Sequence, residues 1–265
     1  MKKYFIITLF VSSLFSCATE EERSNSLINI FLVDAPADVD ALWVELLGVD
    51  VEVESEAGST SPFSKFLEYE SGIKMVDIAQ LVGNQELLIG RGIVPSGRLS
   101  KMRLSLGNDN YVIKNDVRTN LNLSTPNESG LNINVDFSLR PGISHDIYID
   151  FDLLKSLIQN GPRDFTFRPS LRGFSKAATG EISGSLRPGT ERAFLYAIQQ
   201  NDTITTGVNV RANGEFVFRG LEGTYTIFII PKNTEYLPDT IRTVIVQSQQ
   251  RTQLGNITLR PRQEP

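Results

Sequence analysis

The chain is poor in the residues that carry most enzyme and metal chemistry. Its 265 residues hold one cysteine, one histidine and one tryptophan. One cysteine permits neither an intrachain disulfide nor a cysteine-rich zinc site. No GxSxG, P-loop or HExxH segment is present. Basic clusters are missing too. The 26 Lys and Arg are outnumbered by 31 Asp and Glu, giving a net charge of −5. Such a surface repels a phosphate backbone and excludes nucleic acid as a partner. Helical spacing of apolar residues is scarce. What remains is ordinary for a globular chain, 40% hydrophobic and 22% charged, with length enough for one or two domains.

The N-terminus has the three parts of an export signal. Lys2 and Lys3 form a positive start, and Tyr4 to Phe15 form an apolar run broken only by Thr8, Ser12 and Ser13. At about 1.5 Å per residue this run is too short to span a bilayer core of roughly 30 Å. It ends in Leu14-Phe15-Ser16-Cys17, which resembles a bacterial lipobox. The resemblance implies cleavage before Cys17, a diacylglycerol thioether on its sulfur and an acylated amine. Several buried chains at about 0.8 kcal/mol per methylene hold a protein stably on a membrane, whereas one chain does not. The alternative is an ordinary secretory signal with an incidental cysteine. The next apolar residue after Ala18 is Leu27, so residues 17–26 read as an acidic tether. Its Glu20-Glu21-Glu22 run resembles the acidic surface-export tag of lipoproteins in one large Gram-negative group, and it serves equally as a plain solvated linker.

Beyond the tether the dominant period is two. Val49, Val51 and Val53 alternate with acids. Leu131, Ile133, Val135, Phe137 and Leu139 share one face, as do Ile147, Ile149 and Phe151. Such alternation predicts half-buried antiparallel strands. One run changes phase: Leu42, Val44 and Leu46 are even, and Val49, Val51 and Val53 are odd. A bulge at Leu47-Gly48 keeps both sets on one face; two separate strands are the alternative. Turn chemistry marks 34–38, 107–110, 126–130 and 140–142. The second and fourth of these, "GNDN" and "RPG", read as hairpins. Residues 152–162 predict a short helix, with Asp152 as N-cap and Asn160-Gly161-Pro162 as its stop. Residues 74–83 read as a second short helix.

Two resemblances follow from longer segments. "FLVDAPADVDALWVELLGVDVE" (31–52), "VPSGRLSKMRLSLGNDN" (94–110), "SGLNINVDFSL" (129–139), "IYIDFDLLKS" (147–156) and "FRPSLRG" (167–173) resemble a lipoprotein family classed as domain of unknown function 4382. That family implies a β-rich module on the cell envelope and supplies no established reaction. "TGEISGSL" (179–186), "NGEFVFRGLEGTYTIFIIP" (213–231) and "LGNITLRP" (254–261) resemble the carboxypeptidase regulatory-like domain, a transthyretin-type β-sandwich. That resemblance implies a structural or adhesive role, at times linked with sugar-binding modules, with Phe216 and Phe218 pointing inward. The expected fold is all-β: two antiparallel β-sandwich-like domains, the first with one or two short helices. The expected divisions are a signal peptide at 1–16, the tether at 17–26, a first domain at 27–176 and a second at 177–265.

The candidate chemistry is thin. His145 follows a turn beside Asp146, and neighbouring strand residues point to opposite faces, so Ser144, His145 and Asp146 form no triad. It reads as an exposed loop or strand-start histidine. Asp150 and Asp152 share a face about 6.6 Å apart along a strand. That spacing suits an inverting glycosidase pair, but a helix cap for Asp152 and an ion pair of Asp150 with Arg103, Arg168 or Arg172 explain both better. Asp34, Asp38 and Asp40 crowd one loop and Asn108, Asp109 and Asn110 another, as calcium ligands do, though such residues also favour turns. Trp43 suits a sugar-stacking platform or, more commonly, the core. Thr203 and Thr240 sit in "DTI" triplets like an O-glycosylation acceptor. The resulting reading is a non-enzymatic lipoprotein of the outer membrane, periplasmic or surface-facing, anchored by Cys17. It requires no cofactor or metal, and its ligand is a glycan or a protein. A structural spacer or assembly partner in an outer-membrane complex is the second reading.

Overall fold

The structure, a computed structural model, describes residues 24–35, 38–55, 61–123 and 130–263. The signal peptide, Cys17, the acids behind it, most of the 126–130 turn and the middle of the 34–38 turn lie outside the described residues. The first part of the chain supplies β1 (Asn25–Ala35), β2 (Ala41–Ser55), β3 (Phe63–Glu68), β4 (Met75–Asp77), β5 (Leu87–Pro95), β6 (Gly97–Leu106) and β7 (Asn110–Lys114). It continues with β8 (Val117–Leu121), β9 (Leu131–Leu139), β10 (Ser144–Asp152), α1 (Leu153–Ser156), β11 (Leu157–Gly161), β12 (Asp164–Phe167) and β13 (Leu171–Ser175). The chain is all-β, and α1 is one turn long.

Strand β2 organises one layer. Its residues from Gly48 to Val53 pair with both β3 and β6, so those strands flank it on opposite edges. Its start pairs with β4 and β7 in the same way. The second layer has the order β13-β10-β1-β5, with β1 and β10 parallel. The alternating residues of both layers meet in one core that includes Ile30, Leu42, Val51, Met102, Ile133 and Phe151. The phase change in β2 is a bulge. The register with β6 shifts between Leu46 and Gly48, and Leu42, Val44, Leu46, Val49, Val51 and Val53 are all buried. Gly48 has φ +154°, and a Cβ there would lie 2.4 Å from the Leu67 carbonyl oxygen, so only glycine fits the bulge.

The last part supplies β14 (Gly180–Arg187), β15 (Ala193–Gln199), β16 (Asp202–Gly207), β17 (Glu215–Leu221), β18 (Gly223–Pro231), β19 (Asp239–Val246) and β20 (Arg251–Thr258). Two sheets, β17-β14-β20 and β16-β15-β18-β19, enclose a separate core around Ile182, Leu195, Phe216, Phe218 and Ile227. Phe216 and Phe218 do point inward, and their rings meet edge to face at 6.1 Å. Strand β14 runs parallel to β20, so this half, like the first, has one parallel pair among antiparallel neighbours.

Several local expectations are corrected. The "GNDN" and "RPG" turns are not hairpins. Strands β6 and β7 both pair with β2, and the loop between them wraps the Glu45 carboxylate, which accepts from the backbone N–H groups of Asn108 and Asp109 at 2.8 and 3.1 Å. The "RPG" segment carries the chain from β9, paired with β6, to β10, paired with β1. The 152–162 helix stops after α1. Ser156 Oγ donates to the Asp152 carbonyl and accepts from Ser170 N, and the chain then enters the β11–β12 hairpin. A short apolar run fits either period, and here strand pairing wins. Residues 74–83 form β4 and a 3-10 turn at Ile78–Gln80. Strand β1 starts at Asn25, inside the expected tether. Ser26 is buried there, donating to the Arg140 carbonyl.

Candidate functional site

The carboxylates singled out by spacing are both engaged. Asp150 faces Arg172 across the β10–β13 register, and their charged ends lie 2.8 Å apart. Burial pushes the Asp150 carboxyl up, with the Arg172 guanidinium pulling the other way. Asp152 caps α1 by accepting from Lys155 N at 3.1 Å and pairs with the Lys155 ammonium at 2.9 Å. His145 does start a strand, but it is buried and not exposed. Its Nε2 accepts from Arg140 N at 3.0 Å, pinning the corner between the layers.

Both loops proposed for calcium have side chains in internal bonds. Asp38 pairs with Lys114 and Lys232. Asn110 is buried, accepting from Glu45 N and donating to the Gly107 carbonyl. Among the described residues no group of three His, Cys, Asp or Glu side chains could hold a metal ion; the Asp34 side chain lies outside them. Trp43 is not core. It lies half-buried, stacked beside Tyr111 at 6.2 Å, and the Arg118 guanidinium covers the Tyr111 ring at 3.7 Å. Thr203 and Thr240 sit half-exposed on β16 and β19.

The site that sequence reasoning missed lies where the two halves meet. One face of this junction is sealed. Arg172, from the first half, donates to the carbonyls of Arg219 and Gly220 at 2.8 Å each. Arg219, from the second half, returns a bond to the Gly83 carbonyl at 2.8 Å and is almost fully buried. Gly220 (φ +69°) makes this approach possible, because a Cβ there would stand 2.6 Å from the Phe174 ring.

Elsewhere along the junction lies a cleft of about 140 Å³. Its apolar lining comes from Val39 and Ala79 of the first half and Phe194 and Val208 of the second, among others. Its rim carries Arg192, Arg211 and Lys232 against Asp38 and Asp40. Lys232 ties the halves through Asp38, whose carboxyl it holds below the ordinary carboxylate range. Arg211 spends one guanidinium N–H on Gln80 Oε1 at 2.7 Å. The Arg192 guanidinium has no hydrogen-bond or ion-pair partner among the described residues. Arg192 and Lys232 sit side by side because they flank the paired ends Ala193 and Pro231, with Lys232 N bonded to the Arg192 carbonyl. A basic residue at the end of each of two strands was visible in the sequence; their pairing was not.

Comparison with known proteins gives a family and little beyond it. The family described as Domain of unknown function (DUF4382) matches residues 25–169. No curated protein matches the chain. Among solved structures, the Bacillus anthracis TIE protein aligns at 12% identity, covering 90% of this chain and 34% of its own, with a TM-score of 0.26. A fimbrial protein from Bacteroides ovatus aligns at 8% identity, 89% of this chain and 50% of its own, with a TM-score of 0.27. The shaft pilin of Lactobacillus rhamnosus GG aligns at 12% identity, 91% and 99%, with a TM-score of 0.24. The chain thus spans about a third of the TIE protein and half of the fimbrial protein. At such scores these likenesses carry no argument.

Proposed function

We propose, for a chain that belongs to the family of the domain of unknown function DUF4382, a lipid-anchored envelope protein that binds a ligand without turning it over. Cys17 is the anchor. The C-terminal half, a carboxypeptidase regulatory-like sandwich in this reading, supplies one wall of the binding cleft. The observation that carries the proposal is the contrast in how polar groups are used. Asp150, Asp152 and His145, the groups with catalytic potential, are engaged in internal bonds. The Arg192 guanidinium, without a hydrogen-bond or ion-pair partner among the described residues, lines a concave cleft. Concave sites with a few convergent polar groups are where ligands bind.

Anchoring, display and binding are tested separately. Cys17→Ser should move the protein from the membrane to the soluble fraction, and the mature chain should begin at residue 17; any other start would remove the anchor from the proposal. Surface display is read by protease accessibility on intact cells. Binding is read on a glycan array and a panel of matrix proteins, and a failure on both removes the binding role. A second reading, an assembly partner within an outer-membrane complex, has one observation of its own. Phe66 and Ile93 stand 46% and 59% exposed on β3 and β5, and β5 ends its layer. Co-purification of a membrane partner that is lost in Ile93→Ser would favour it.

A further inference from the structure

We infer that the cleft takes a glycan chain bearing a uronate, with the carboxylate at Arg192 and Arg211 and the following sugar on Phe228 and Ile230. The inference rests on the binding role proposed above and names the chemistry of that same site. Three observations carry it.

The first is charge. The protein is acidic overall, at −5, yet the cleft rim has three cations against two acids. Asp38 is already neutralised by Lys114 and Lys232, which leaves two arginines against Asp40 and an excess of one positive charge. A guanidinium presents paired N–H donors that match a carboxylate, and a concave wall focuses such a field. The second is the lining. The cleft brings together Phe194, an aromatic surface of the kind that packs on sugar C–H groups, and Asp40, whose carboxylate is an acceptor for hydroxyls.

The third is continuity. Phe194 is the cross-strand partner of Ile230, and Tyr196 of Phe228. Directly paired residues share a face, so the cleft's Phe194 is continued by an open strip. Phe228 and Ile230 are 37% and 44% exposed there. A single small carboxylate would leave this strip bare, whereas a chain of linked rings covers it.

The test is calorimetric titration of the full mature chain carrying Cys17→Ser. The probes are galacturonate, tri-galacturonate, its methyl ester and an oligoglutamate peptide. Tri-galacturonate should bind tightest. Methyl esterification and Arg192→Gln should each weaken it about tenfold or more, as the loss of a charge-assisted hydrogen bond of about 1.5–3 kcal/mol implies. Phe228→Ala should erase the advantage of trimer over monomer, and circular dichroism should show both variants folded. Equal binding of acid and ester would overturn the carboxylate assignment and leave the binding role standing. Tighter binding of oligoglutamate would overturn the glycan. Binding of none of the four probes, with hits elsewhere on the array, sinks this inference alone, whereas no hits anywhere sink the binding role with it.

Discussion

Two parts of one junction hold the halves together in opposite ways. In the sealed part, Arg172 and Arg219 each reach across and take backbone carbonyls of the other half. In the cleft, Asp38 and Lys232 make the crossing while both stand about half exposed. The sealed part is the more buried, with its guanidinium groups bonded to backbone carbonyls, so it supports stability. The cleft is wet and under-satisfied, so it contributes little to stability and can respond to one. The same charge types serve both, and the difference lies in how much water each keeps.

The largest effect should come from breaking the sealed part. Arg172→Met removes three bonds and strands a buried Asp150. The expected loss is about 3 kcal/mol, typical of removing one partner of a buried pair. That lowers Tm by roughly 6–12 °C for a chain of this size, measured by calorimetry. Gly220→Ala comes next, at about 2 kcal/mol, from a strained φ and a contact too close to Phe174. Asp38→Asn should cost less than about 0.5 kcal/mol at physiological salt, because exposed pairs are screened. Arg192→Gln should leave Tm unchanged within error and alter binding only. If Asp38→Asn proves as costly as Arg172→Met, the distinction between the two parts collapses.

Acid sharpens the same contrast, because the two aspartates shift in opposite directions. Lys232 lowers the Asp38 carboxyl in the folded state. Its contribution is therefore full above the unfolded value of about 4 and is lost as pH falls through the folded value. Burial raises the Asp150 carboxyl. Its ionised form therefore opposes folding above the folded value, and that opposition fades as pH falls towards the unfolded one. Denaturant melts from pH 7 to pH 3 should show Asp38→Asn flattening the acid loss of stability. Asp150→Asn should steepen it.

Legibility in the sequence differed from feature to feature. The phase change in β2 was readable, because six apolar residues had to share one face and only a bulge at Gly48 allows that. Asp152 as a cap was readable, since the cap bonds only three residues ahead. Arg172 stood among three candidate partners for Asp150, and register alone selected it. The helix over 152–162 failed because Leu153 and Leu157 reach the core equally well from one helical turn followed by a strand. The exposure of His145 failed for a similar reason: its partner, the Arg140 N–H, is supplied by a corner between layers that no local pattern shows.

By itself, the sequence determined the class of the fold, the core-facing residues of β2, β9 and β10, the glycine bulge and the motif around Cys17. These are local properties, set by a period of two, by sterics at one residue, or by a short contiguous signal. Tertiary structure decided which turns join neighbours and which cross between layers. It also decided which arginine is consumed and which has no side-chain partner among the described residues. Arg172 and Arg192 are alike as residues. One meets two carbonyls and a carboxylate on packing, and the other lines the open cleft. That difference depends on pairings between strands far apart in the chain.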